Sequence, residues 1–130
     1  MGVNPYANTG AYTEASVLTA PPGRLVVMLY DGAIRFLAQS ATAMRTRERE
    51  RARDRMRRAE AIIDELNLSL DMSYGEIPAR LRSIYLFCKR ELVEANLNSD
   101  PERIEVVSRL LSELRETWDE LASRAERISA

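Results

Sequence analysis

Beyond Asp100, the residues Ile104, Val107, Leu111, Leu114, Trp118, Leu121, Ala125 and Ile128 follow one another at alternating steps of three and four. That spacing keeps one face of an α-helix apolar for about seven turns. A helix of that length cannot bury such a stripe on itself. It needs neighbours that carry stripes of their own.

The rest of the chain supplies three. Ala52, Met56, Ala59, Ile63, Leu66 and Leu70 form a heptad-like seam that predicts a helix over 48–72. Ile77, Leu81, Ile84, Cys88, Leu92 and Ala95 predict another over 76–98, with Pro78 in its first turn. Leu25, Met28, Leu29, Gly32, Ala33 and Phe36 predict the first, over 22–44, its stripe widened by Val27, Tyr30, Ile34 and Leu37. Asp100 is placed to cap the last helix, 101–128, with Pro101 at its first position and Glu102 near the positive end of its dipole. No segment alternates with period two, and the connections are a few residues long, which makes successive helices antiparallel. The predicted fold is all-α: an antiparallel up-and-down four-helix bundle over 21–130. An irregular arm, 1–20, precedes it, with Tyr6, Tyr12, Val17 and Leu18 as its adhesive side chains.

Composition narrows the function. Nineteen basic against twenty acidic residues leave a net charge of −1, which gives no global pull toward nucleic acid or anionic lipid. No apolar run reaches the roughly 18 residues of a membrane span. MGVNPYANTG lacks the apolar core of a signal peptide, and Tyr6 stands where a myristoylation signal wants serine or threonine. A lone cysteine, Cys88, permits no internal disulfide, and its place on a seam reads as core packing. The expected location is the cytoplasm. With no histidine in the chain, the bundle lacks the Glu-x-x-His motif of metal-binding bundles. Carboxylates such as Glu60, Asp64, Glu113 and Asp119 sit at solvent-type positions, and no phosphate loop or nucleophile motif appears. An enzyme is not expected.

Two features remain. The run RTRERERARDRMRR, residues 45–58, holds eight arginines against three acids. It has no aromatic side chains to stack on bases, and acids stand at pairing distance, so a solvated helix start is the favoured reading over a nucleic-acid site. The other is surplus apolar surface. Tyr85, Leu86, Val93 and Leu97 lie off the seam of the third helix, as do Tyr30, Ile34 and Leu37 in the first and Val106 and Leu110 in the last. Part of this widens the core. The remainder calls for an oligomer interface, cover from the arm, or a groove for a partner's amphipathic segment.

The motifs NPY at Asn4–Tyr6, V-L-T-A-x-P from Val17, MLYDGAIRFL from Met28, L-x-M-x-x-G-E-I from Leu70, Ala95-Asn96 and ELRETW from Glu113 occur in this order. Together they resemble the FliS family of flagellar secretion chaperones, over about Asn4 to Leu121. The chain departs from the family where Pro21-Pro22-Gly23 replaces the usual Ser-Pro-Glu, and where Tyr74 replaces the first of two glycines. The arginine-rich run has no transferable counterpart. The resemblance implies a cytosolic export chaperone without cofactor. Such a chaperone binds the disordered C-terminal segment of flagellin, prevents its premature polymerisation and delivers it to the cytoplasmic domain of the flagellar type III export gate. It implies no nucleic acid partner and no membrane insertion.

On that reading the candidate client-binding residues are Tyr30, Asp31, Ile34, Leu66, Leu70, Ile77, Leu86, Val93 and Leu97. The arm acts as a removable cover through Tyr6, Tyr12, Val17 and Leu18. Gly32, Asp100, Arg115 and Trp118 are structural, with Trp118 a core anchor where the last helix meets the first. Asp31-Gly32, a strong turn signal, falls inside helical periodicity and is overruled by it. Gly32 then serves close approach, and Asp31 takes as its partner Arg115, an arm amide or a tyrosine hydroxyl. Asp31 either anchors helix packing or touches the client. The alternatives are a self-associating structural bundle and a nucleic-acid-binding regulator using 45–58.

Overall fold

The computed structural model describes residues 22–129. Four helices follow in order: α1 (Pro22–Arg45), α2 (Arg49–Leu68), α3 (Glu76–Asn98) and α4 (Pro101–Ser129), with one 3-10 turn at Met72–Tyr74. Among the described residues there is no strand. The arm, with Tyr6, Tyr12, Val17 and Leu18, lies outside the described residues.

Each break has a local cause. After α1, Arg47 enters the left-handed region at φ 61°, which reverses the chain within three residues. The Ser69 hydroxyl donates to the Leu66 carbonyl (2.7 Å) as α2 ends, at Leu68 and not at the expected 72. The Asp71 carboxylate accepts from the Ser73 amide (3.0 Å) and hydroxyl (2.6 Å), a local turn that competes with the helix. Gly75, at φ 87°, supplies the left-handed step before α3. Ser99, at φ 49°, ends α3, and the Asp100 carboxylate accepts from the Arg103 amide (3.2 Å), the expected N-cap of α4.

Ion pairs fix the relative directions. Arg24 at the start of α1 meets Asp119 and Glu126 near the end of α4, and Arg45 at the end of α1 meets Glu105 near the start of α4 (2.7 Å). These two helices are therefore antiparallel. Lys89 of α3 donates to Asp64 of α2 (2.6 Å), and Arg103 of α4 lies 3.7 Å from Glu91 of α3. Such part-exposed pairs are individually weak, so they tune register while the core supplies stability. The Ser40 hydroxyl, fully buried, donates to the Ala52 carbonyl (2.7 Å) and ties α1 to the start of α2. At the other end of α1, a Cβ placed on Gly23 would lie 3.3 Å from the Ala122 Cβ, so α4 passes close to the first turn of α1.

Tyr30, Leu37, Ile62, Ile63, Leu66, Leu92, Ile104, Val107 and Leu111 form the centre of the core. The α2 seam and the first part of the α4 seam face it as expected. Beyond Trp118 the α4 seam changes. Leu121 and Ile128 are exposed, and Ala122 turns inward in their place. The apolar period continues there, but the inward direction has passed to Ala122, which lies against Gly23 of α1. Cys88 is buried, and that burial pushes its thiol up to about 11, so it is protonated and unreactive at neutral pH.

The ion pairs set an acid limit. Hydrogen bonds from Arg24 to Asp119, from Arg45 to Glu105 and from Arg58 to Asp54 hold these carboxyls below their ordinary values of 3.8 and 4.5. A carboxyl depressed on folding stabilises above its unfolded value and loses that contribution as pH falls through the folded one. Through these three carboxyls the Tm should fall below about pH 4. Glu60 runs the other way. It is half-buried beside Asp64 and Lys89, and desolvation raises its carboxyl. Its contribution is lost as pH rises, so Glu60→Gln should raise the Tm at neutral pH, a gain that calorimetry should see shrink toward pH 4.

Candidate functional site

Helix α3 presents two faces. Tyr85, Cys88, Leu92 and Ala95 point into the core. Leu86, Val93 and Leu97, spaced i, i+7 and i+11, lie within about 40° of one another and about 140° from that core face. They are 41%, 51% and 72% exposed. Arg82 and Arg90 flank them on the same outer side, one on each edge. An apolar row facing away from its own core has no structural employment within the bundle.

The row continues beyond the start of α3. Leu68, Met72, Tyr74 and Ile77 are all exposed around the 69–75 connection, Ile77 at 72%. Ile77 follows the inward period of α3 and is nevertheless exposed, while the adjacent Pro78 is buried. On the α4 side, Phe87, Val106 and Leu121 are exposed and Leu110 and Leu114 half-buried. The Arg103–Glu91 pair shows that this side of α4 is turned toward α3.

The expected site residues divide. Ile77, Leu86, Val93 and Leu97 are exposed on or beside the outer face of α3. Leu70 and Ile34 are partly buried against the core. Two must be withdrawn from any surface. Leu66 is 2% exposed and closed among the core residues, because the inner face of α2 turns it inward. Tyr30 is fully buried, its hydroxyl 2.6 Å from that of Tyr85. Burial raises the Tyr30 phenol above its ordinary range, opposed by hydrogen bonds with Tyr85 and Trp118. Tyr85, expected as surplus surface, is thus the partner that allows a second hydroxyl into the core.

Asp31 is held by Arg115, whose Nε donates to Oδ1 at 2.8 Å. Arg115 also approaches Asp119 (3.5 Å), which Arg24 grips in turn, so Asp31, Arg115, Asp119 and Arg24 form a clasp between α1 and α4. Gly32 is buried beside it in α1. Trp118 packs against the core but is only partly buried, which weakens its reading as a core anchor. Trp118→Ala should therefore cost about 1–3 kcal/mol in urea unfolding, below the roughly 3–5 of a fully buried ring. Phe87 is the residue that pattern reading missed. Its position lies between the two faces, where helical period alone does not decide between inside and outside.

Among the described residues no group of metal-binding side chains occurs, and no helix is long and apolar enough to cross a membrane. A cleft of about 530 Å³ lies at the end of the bundle where the α1–α2 and α3–α4 connections meet.

Comparison with known proteins gives one consistent result. The family described as "Flagellar protein FliS" matches residues 3–125. The flagellar secretion chaperone FliS of Bacillus subtilis (strain 168) is 35% identical over 124 residues, covering 95% of this chain and 90% of that protein. The protein of the same name from Salmonella typhimurium (strain LT2) is 32% identical over 126 residues, 95% of this chain and 92% of the other. Flagellar secretion chaperone FliSB of Pseudomonas aeruginosa is 35% identical over 107 residues, 82% of this chain and 85% of its own. With the match running through all four helices, the chain belongs to the FliS family, whose named members are flagellar secretion chaperones.

Proposed function

We propose that this protein is the cytoplasmic export chaperone of its cognate flagellin. It binds the C-terminal segment of unassembled flagellin, keeps it from polymerising, and presents it to the cytoplasmic domain of the flagellar type III export gate. The observation that carries the reading is the Leu86–Val93–Leu97 row on the outer face of α3, an apolar stripe with helical spacing turned away from the core. A disordered segment that folds as an amphipathic helix has the matching stripe. Its affinity comes from apolar burial, less about 2–5 kcal/mol for ordering. The reading asks for no bond to be made or broken and for no cofactor.

Titrating the protein with a peptide from the C-terminus of its flagellin, by calorimetry at several temperatures, tests this. Saturable binding with a negative heat-capacity change is expected. Absence of binding would sink the reading. The rival use of the same face is self-association, and light scattering without client separates the two: a monodisperse monomer rules out the oligomer.

A further inference from the structure

The cleft of about 530 Å³ at the end of the bundle has a composition of its own. Three arginines, Arg47, Arg49 and Arg53, line it together with Met44 and Leu97. All three are exposed. Other arginines of the same run are paired: Arg45 with Glu105, and Arg55 and Arg58 with Asp54. Among the described residues no carboxylate pairs with Arg47, Arg49 or Arg53, and none lines the cleft. The first turn of α2 adds its dipole to theirs and has no side-chain cap. Three like charges are thus gathered in one concavity whose lining holds no carboxylate, although Glu48 and Glu50 stand at the start of the same helix.

A second observation concerns the backbone. Among the described residues, the two non-glycine residues with positive φ, Arg47 at 61° and Ser99 at 49°, both line this cleft, one from each connection. Glycine takes that conformation without steric penalty, whereas a Cβ is strained there. Arg47 thus brings its guanidinium to the cleft from a backbone position that glycine would occupy more easily.

We propose that this cleft docks an acidic stretch of a protein partner, carrying an apolar residue among its carboxylates. The three guanidinia meet the carboxylates, and Met44 and the exposed Leu97 receive the apolar side chain. A concavity with a few apolar side chains among polar ones suits a peptide better than a flat lipid surface. The absence of a stacking aromatic in the lining disfavours single-stranded nucleic acid. Leu97 also ends the outer row of α3, so the two sites are contiguous, but this proposal does not depend on flagellin being the client.

The test uses the full chain and a short fluorescein-labelled peptide alternating glutamate pairs with single leucines. A copy with glutamine for glutamate, a single-stranded DNA oligonucleotide and phosphatidylglycerol vesicles serve as comparison probes. The acidic peptide should bind, more weakly as salt rises, and the glutamine copy should not. Arg49→Glu combined with Arg53→Glu should weaken binding about tenfold or more with helical circular dichroism unchanged. Arg47→Gly should weaken it too while leaving Tm unchanged or higher, an outcome that a purely structural turn would not give. Leu86→Glu should leave this binding intact even where it abolishes that of flagellin. Equal affinity for the glutamine copy overturns the proposal. So does tighter binding of the oligonucleotide or the vesicles, or retention of the peptide by the folded double variant.

Discussion

Leu66→Glu should unfold this protein, whereas Leu86→Glu should leave it folded and unable to hold its client. The substitution is the same and the residues lie on adjacent helices, yet the surroundings differ. Leu66 is 2% exposed within the apolar cluster that also holds Ile62, Ile63 and Leu92. A carboxylate there must be desolvated without a partner or take up a proton, and its shape leaves the core ill-filled. The combined penalty should exceed about 4 kcal/mol, a large part of the 5–15 that a domain of this size possesses. Leu86 faces outward beside Arg82 and Arg90, so glutamate there is hydrated and flanked by guanidinia. Circular dichroism should be unchanged, while client affinity falls by about 2 kcal/mol, roughly 30-fold, as for the centre of an interface. A folded Leu66→Glu variant would show that the inner face of α2 is mobile. An unfolded Leu86→Glu variant would return Leu86 to the core and displace the proposed docking face.

Tyr85→Ala is the second large effect. Its ring is 2% exposed, and its hydroxyl pairs with that of Tyr30 across the bundle, from α3 to α1. Removing it opens an aromatic-sized cavity and takes one partner from the buried Tyr30 hydroxyl. Urea unfolding should lose about 3–5 kcal/mol. Tyr85→Phe keeps the volume and should cost about 1 kcal/mol, since Trp118 still reaches Tyr30. If the two variants cost the same, the hydroxyl contact matters more than the packing, and the weight assigned to shape is wrong.

The pattern of steps in the sequence was enough to place four helices and to choose the inward face of α2. It worked because burial of an apolar stripe is the dominant demand on such a chain. It failed wherever the question was how far a neighbour reaches. Ile77, Leu121 and Ile128 keep the helical period and are exposed, since period reports direction around an axis and not whether a neighbour covers that position. Tyr30 and Tyr85 looked like surplus. Their hydroxyls find each other only in three dimensions, and each makes the other acceptable inside. The outer row of α3 was legible in part: Leu86, Val93 and Leu97 could be told from the seam, while Leu66 was misread because heptad position alone does not separate a groove from a core. The arginine-rich run could be read for charge. Which of its members remain unpaired was settled by folding, when Asp54 and Glu105 took three of them.

The near contact of Gly23 with Ala122 bears on how this protein differs from its relatives. At that crossing α1 and α4 are already as close as an alanine opposite a bare Cα allows, and an added methyl group would need a few tenths of an ångström of yielding. A relative with any longer side chain at the position of Gly23 must hold the helices farther apart there or give up the alanine. Side-chain size at these two positions should therefore trade off across an alignment, a mark of contact left by evolution at a place where neither residue carries charge or touches a ligand.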